Sequence, residues 1–411
     1  MSPGGRRRGF ERRCIVTCSA LVPYSLEPAA RGLPSFDTCY TLALFERTQS
    51  MKWYPYGHDF GNAEMGGVTM LLNGPMLARS VPTAFVKADV TALSSLGVDT
   101  ASAHILRLQG EEISYALGEL ALQQAIEPWN GRGDIQRYAS KFSLRGLLTI
   151  AASLIPDREF GLYVVTGLPA ETYIKNTELR HTIKNALDGV HTFTLDGGKT
   201  WRTVSIEVAN VVMEGAGALI AYGDKNASKT AESAVIDVGG RTTDLYVARG
   251  QVPVTDFCKG KPLGVESATQ MVMDAFESKH NRPLSRLEAR EIMHAYASSG
   301  TRPYPEIAAY GRTIEAYLLE RLAKEAINQV GLEIVSFVAA TWRQSDRGAV
   351  AASFKPALNI GGGVYYFYSV LRGRIPHLAR PADPIHANAQ GYCTLAARLL
   401  SRKAEPRSVT A

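Results

Sequence analysis

Twice in this 411-residue chain an apolar run ends in an aspartate with a glycine two residues further on. The first copy is Asp59-Phe60-Gly61-Asn62-Ala63-Glu64, and the second is Asp237-Val238-Gly239-Gly240-Arg241-Thr242-Thr243-Asp244. Each stands between strand-like runs, so each reads as a hairpin turn with a carboxylate at the strand end. Glycine permits the tight turn and a close backbone approach. Successive N–H groups in such a turn form a concavity for an anion. The aspartate can hold Mg²⁺, most often through the ion's waters, because Mg²⁺ dehydrates reluctantly. A lone Asp-x-Gly occurs in any hairpin, so the first motif is weak by itself. The second, with two glycines, two threonines and a further aspartate, is more specific.

The pattern between and after these turns predicts two related α/β halves. In the first half, strands are expected near 54–60, 68–72 and 83–88, helices over 115–126 and 137–155, and a buried strand from Phe160 to Thr166. A helix over 171–187 and strands at Val190–Leu195 and Thr203–Val208 follow. In the second half, Ala234–Asp237, Thr242–Ala248 and Val252–Phe257 read as strands, and 265–279, 285–297 and 306–330 as helices. Ile334–Ala339 and Ala357–Ile360 read as core strands, before helices after Gly363 and at 386–402.

Two more motifs carry chemistry. Asn359-Ile360-Gly361-Gly362-Gly363 ends a strand and opens a helix. Three glycines there let the backbone lie flat against a ligand, although a plain strand-to-helix turn reads the same. In Val211-Val212-Met213-Glu214-Gly215-Ala216-Gly217-Ala218 the small residues allow close helix packing. Glu214 is expected near that helix's start, where the dipole favours a carboxylate. It is either an ordinary N-terminal acid or a group that orients a water beside a phosphate.

Composition excludes several classes. Hydrophobic residues are 45% and charged residues 20%, which rules out wholesale disorder. No apolar run reaches the length of a membrane span, so no membrane partner is expected. Five scattered cysteines make no disulfide scaffold, and Cys14 with Cys18 lacks partners at finger spacing. The formal charge of +6 is too small to argue for direct nucleic-acid binding. Residues 1–50 hold seven arginines and no lysine against four acids, so half of that excess sits there. The stretch from Cys14 to Val22 is too mixed for a signal peptide, and the arginines form no face for a basic arm. Residues 1–50 read best as an extension outside the fold, with Met51 a natural start and the chain cytoplasmic. Arg372, Arg374, His377 and Arg380 read as a solvated loop, Trp129 and Trp342 as packing residues, and Tyr365 as core or as a neighbour of a ligand.

The order of these elements resembles the actin superfamily, which includes actin, heat-shock chaperones and hexokinase. Asp59–Ala63 is similar to its first phosphate loop, Asp237–Asp244 to its second and Gly361–Gly363 to its adenosine loop. Val165-Thr166-Gly167-Leu168-Pro169 and Asp383-Pro384-Ile385-His386-Ala387-Asn388-Ala389-Gln390-Gly391-Tyr392 resemble actin-like proteins of the ParM/StbA plasmid-segregation type. The resemblance spans roughly 53–402 and implies an α/β, actin-like (ribonuclease H-like) fold. Its two domains, over 51–215 and 216–402 with a tail at 403–411, would carry duplicated mixed sheets flanked by helices around a nucleotide cleft. It implies ATP and Mg²⁺ as cofactors. Asp59 and Asp237 would hold the metal, and Gly61, Asn62, Ala63, Gly239, Gly240, Arg241 and Thr242 the phosphates. Gly361, Gly362 and Gly363 would face the nucleotide, and Glu214 would polarise the attacking water. Asn62-Ala63-Glu64 stands where many relatives carry a hydroxyl or Lys. The implied partners are further copies of the chain in a filament and a DNA-binding adaptor. The rival readings are a small-molecule kinase, which would need a positioned aspartate base, and a non-catalytic ATP-binding scaffold.

Overall fold

The computed structural model describes residues 51–71, 74–99, 104–124, 131, 134–223, 230–342 and 351–404. The readings for residues 1–50 and for Trp129 lie outside these residues, as does the tail beyond 404. Met51–Ala411 forms one compact unit.

The strands of the first half are β1 (Trp53–Asp59), β2 (Glu64–Met70), β3 (Met76–Pro82), β4 (Phe85–Ala88), β5 (Ile105–Leu108), β6 (Ser114–Leu117), β7 (Glu159–Leu168), β8 (Gly189–Thr194) and β9 (Arg202–Met213). They make one sheet in the order β3-β2-β1-β7-β9-β8-β5-β6-β4. At its centre β1, β7 and β9 run parallel, and the other pairs are antiparallel. Every residue of β7 after Glu159 is buried, as expected for a parallel strand covered on both faces.

The helices of this half are α1 (Val90–Ser95), α2 (Glu119–Gln124), α3 (Lys141–Leu154), α4 (Ala170–Lys175), α5 (Thr177–Leu187) and α6 (Ala216–Tyr222). Ser140 caps α3 by accepting from the Ser143 N–H. The apolar stripe of α3, Leu144, Leu147, Leu148 and Ala151, joins Tyr56, Met65, Phe85 and Val164 in the first core.

The second half adds β10 (Glu232–Val238), β11 (Thr243–Arg249), β12 (Val252–Pro253), β13 (Lys259–Lys261), a hairpin of β14 (Ala308–Ala309) and β15 (Arg312–Thr313), and β16 (Ala357–Ile360). Its sheet runs β12-β11-β10-β16, with β13 also on β11. As in the first half, a turn joins an antiparallel pair, here β10 and β11, and the Asp-bearing strand has a parallel neighbour, β16. The helices are α7 (Val265–His280), α8 (Arg286–Ala297), α9 (Ala316–Trp342), α10 (Val364–Arg372) and α11 (Ala387–Ala404).

The last helix does not stay with the second sheet. α11 lies on β1 and β7 and crosses α6. Close approach makes this possible: a Cβ on Gly391 would stand 1.7 Å from the Gly217 carbonyl oxygen, and one on Gly57 2.0 Å from that of Ala389. Both halves therefore share the α6–α11 crossing.

Some boundaries differ from the sequence pattern. Ile334–Ala339 is not a strand but the last part of α9, whose buried positions Leu322, Ala326, Val330, Ile334, Val338 and Trp342 recur at four-residue spacing. A six-residue window hides that period. The helix expected over 306–330 begins only at Ala316, after the β14–β15 hairpin. The segment 115–126 opens as β6, and the helix starts at Glu119. β2 turns back into β3 at Met76, earlier than 83–88 suggested. The helix over 171–187 breaks at Asn176, and only Val252–Pro253 of the next stretch pairs as a strand. Trp342 packs as expected, edge-on to Phe354 at 5.2 Å with its indole N–H donating to the Phe257 carbonyl.

Candidate functional site

Both Asp-x-Gly turns sit at corresponding places, at the carboxyl ends of β1 and β10 beside a parallel neighbour. The turn after Asp59 is anchored by Thr83, whose hydroxyl donates to the Gly61 carbonyl at 2.8 Å and whose N–H donates to that of Ala63 at 2.8 Å. The turn after Asp237 closes with Gly239 N–H on the Thr242 carbonyl at 2.8 Å. The first turn of α7 sits beneath it: Val265 and Glu266 N–H donate to the carbonyls of Gly239 and Gly240. Arg241 reaches Glu266 at 3.6 Å.

The two turns touch. A Cβ on Gly240 would stand 2.3 Å from the Cβ of Ala63, a separation that atoms do not adopt. The first sheet's turn and the second sheet's turn therefore lie against each other.

Glu214 follows the last residue of β9 and stands before α6, not within it. Its N–H donates to the Leu168 carbonyl at 2.8 Å. The next residue, Gly215, has φ +89 and packs against the Tyr246 side chain. That corner turns the chain out of the first sheet and places the Glu214 carboxylate in the field of Asp59, Asp237 and Asp244.

These carboxylates perturb one another. Burial first, then Asp59, Asp244 and Asp237, push Glu214 well above the usual range. Burial, Asp59 and Asp244 raise Asp237 in the same way, opposed by a hydrogen bond from Asn388. Burial lifts Asp59 to about 6 against the pull of Arg137 and His386. Asp244 also rises to about 6 through burial, although Thr242 and the Ala170 N–H bond it. Asp59, Glu214 and Asp237 are deeply surrounded yet keep an accessible edge, whereas Asp244 is 5% exposed. Like charges desolvated in one crevice favour a bound cation or a bound proton.

Among the described residues no cluster of three His, Cys, Asp or Glu side chains could hold a metal unaided. The donor set is of hard oxygens, which fits an ion that keeps its waters and shares ligand phosphates.

Of the three glycines, Gly362 alone looks onto open space. Gly361, at φ +83, takes its place because a Cβ would meet Asp237 Oδ1 at 2.5 Å, and a Cβ on Gly363 would meet Val238 at 2.3 Å. Tyr365, on the first turn of α10, is half-exposed, with the Arg380 guanidinium 6.0 Å from its ring. Arg372, Arg374 and His377 are exposed.

Other residues at the site had weaker signals. Asp244 is the cross-strand partner of Asp237, so both side chains share a face, and counting across the turn would have found it. Arg137, 4% exposed, donates to the Phe60 carbonyl at 2.8 Å and lies over the Tyr138 ring. His386 holds Asp383 through Nδ1 at 2.9 Å and packs near Gly66, against which Asp59 also rests. Nothing local marks Arg137, because only the fold brings its segment to Phe60.

Comparisons with known proteins bear on the fold. Residues 57–217 match the family of actin like proteins, N terminal domain. No curated protein matches the sequence. The 15-stranded ParM filament from Clostridium botulinum is 20% identical with a TM-score of 0.67, covering 85% of this chain and 100% of that chain. Ta0583, an archaeal actin homolog, is 18% identical at a TM-score of 0.64, covering 85% and 100%; it was also solved in complex with ADP. Bacillus thuringiensis ParM with AMPPNP is 15% identical at a TM-score of 0.61, covering 85% and 99%. At such identities the likeness establishes the fold, which is actin-like, with mixed sheets flanked by helices.

Two outcomes are expected. Gly239→Ala meets only an ordinary contact, Thr242 O at 3.5 Å, whereas Gly240→Ala strikes Ala63. In urea unfolding without nucleotide, Gly240→Ala should cost about 1–3 kcal/mol and Gly239→Ala nothing, or gain up to about 1 kcal/mol. Equal effects would show that the turns do not touch. The second concerns pH. The raised folded pKa of Asp59 means that its stabilising contribution is full below its unfolded value, about 3.9, and is lost as pH rises through about 6. Asp59→Asn should therefore gain stability relative to wild type between pH 4.5 and 7.5, and a difference independent of pH would contradict the assignment.

Proposed function

We propose that this chain, which matches the actin like N terminal domain family over residues 57–217 and is actin-like in fold over 85% of its length, is an ATPase that binds ATP with Mg²⁺, hydrolyses it and assembles with further copies into filaments. The observation that carries the reading is the meeting of the two Asp-bearing turns, Gly240 on Ala63, with Asp59, Asp237 and Glu214 gathered at the same crevice.

In this reading Asp59 and Asp237 would hold Mg²⁺, which would supply charge neutralisation at the transferring phosphoryl group. Backbone N–H groups of Gly61, Asn62 and Ala63 hold phosphate from one lip. Gly239 spends its N–H on Thr242, so Gly240, Arg241 and Thr242 serve the other lip. Gly362, with open space before it, lies against the nucleotide between Gly361 and Gly363. Glu214 accepts a hydrogen bond from the attacking water and orients it. Burial beside three aspartates pushes Glu214 toward its protonated form, a push that a cation held by Asp59 and Asp237 would offset.

The domains in this reading are 51–215 and 216–402, with 1–50 as an extension, except that the last helix runs on to Ala404 and lies on the first sheet, so a tail would begin after Ala404 and not at 403. Filament assembly is supported by the likeness to a ParM filament. An adaptor that links filaments to plasmid or other DNA, and a cytoplasmic location, complete the proposal. No helix among the described residues is long and apolar enough to cross a membrane.

The test is sedimentation of the full chain with ATP-Mg²⁺ while phosphate release is followed. Wild type should pellet and release phosphate. Glu214→Gln should slow release by roughly 10²–10⁴-fold, keep nucleotide binding and make pelleted polymer last longer. Phosphate release that requires an added hydroxyl acceptor would favour a kinase, and no release at all would overturn the ATPase.

A further inference from the structure

Asn388, the second residue of α11, is 2% exposed, and both ends of its amide are engaged. The Gly215 N–H donates to Oδ1 at 3.0 Å, and Nδ2 donates to Asp237 Oδ2 at 2.7 Å. A backbone N–H only donates, so Oδ1 must face Gly215 and Nδ2 is left for the carboxylate. The bonds themselves thus fix the orientation of the amide.

The joined groups come from three places in the chain. Gly215 belongs to the corner that presents Glu214 at the end of the first sheet. Asp237 belongs to β10 of the second sheet. Asn388 rides on α11, which is seated on the first sheet through Ala389 against Gly57 and crosses α6 through Gly391 against Gly217. Gly361 lies against the other carboxylate oxygen, Oδ1, and leaves no room there for a side chain. Asn388 therefore decides which oxygen of Asp237 is held by a side-chain amide, and so how the carboxylate is oriented.

We propose that Asn388 is a positioning residue that sets the metal-side group Asp237 and the corner bearing the water-side group Glu214 in one frame. The inference rests on the ATPase reading given above and deepens it. One rigid amide, buried on a helix anchored to the first sheet, ties the second sheet's aspartate to the Glu214 corner, so the two groups keep register with each other. Its ligand class is the divalent metal–nucleoside triphosphate.

The test uses the full chain in three forms beside wild type: Asn388→Asp, Asn388→Ala and Asp237→Ala. Asn388→Asp keeps the size and the acceptor for Gly215 but sets an oxygen against Asp237 Oδ2. Mn²⁺ binding in the presence of ATP is read by electron paramagnetic resonance, turnover is measured across Mg²⁺ concentrations, and circular dichroism gives the folded fraction. Asn388→Asp should lower Mn²⁺ affinity and turnover on the order of 10- to 100-fold, with the folded fraction unchanged. Asn388→Ala, which adds no repulsion, should lose turnover with a smaller change in Mn²⁺ affinity. Wild-type Mn²⁺ affinity in folded Asn388→Asp, or a loss of turnover that merely follows the unfolded fraction, overturns the inference alone. Wild type that neither binds Mn²⁺ with ATP nor releases phosphate, or Asp237→Ala that keeps both, overturns the ATPase reading and this inference with it.

Discussion

The contact of Gly240 with Ala63 is the constraint on which the site depends. Two sheets with separate cores could sit side by side without sharing any chemistry. They share it because a hairpin turn from each ends at the same crevice, and because position 240 carries no side chain that would hold the lips apart. The crossing of α6 and α11 is a second close approach between the halves. There the small residues Gly217 and Gly391 let two helices approach until backbone meets backbone, and α11 returns to cover the first sheet. The contact of the turns and the crossing of the helices both join the two halves, so the site belongs to the whole described fold and not to either half.

Electrostatics give that crevice its chemical character. Four carboxylates from three strand ends and a corner converge where burial penalises charge, so each is pushed toward its protonated form. Arg137 and His386 offset only part of this. Such a cluster is costly unless something positive completes it. The metal–triphosphate proposed above would supply a cation to the carboxylates and an anion to the turn N–H groups. The charge pattern of these residues is complementary to such a ligand. Asn388 adds precision by holding one oxygen of Asp237, so the carboxylate has a defined orientation before any ligand arrives.

Much of this was legible in the residues themselves, and the reasons differ from element to element. The second turn stood out because Asp, two glycines and two threonines between strands have few other uses. The duplicated strand–turn–strand element pointed to two halves. Long helices announced themselves through four-residue spacing, as in α3. The six residues Ile334–Ala339 misled because β-branched and aromatic side chains in a short run satisfy a strand pattern, and only the preceding turns of α9 reveal the period. Asp244 was visible but unassigned until its pairing with Asp237 was known. Arg137 could not be read at all, since its role depends on a contact with Phe60 across 77 positions of sequence. The glycine triplet was legible as a turn, but not in its division of labour, with Gly361 and Gly363 packing on Asp237 and Val238 while Gly362 faces outward.

The central claim is that both turns grip one ligand at once. Hydrogen–deuterium exchange on the full chain, with and without Mg²⁺ and a non-hydrolysable ATP analogue, tests it most directly. Amides of 61–63 and of 240–242 should slow together over the same range of ligand concentration. Slowing of one turn with the other unchanged, or of neither, would contradict a shared crevice.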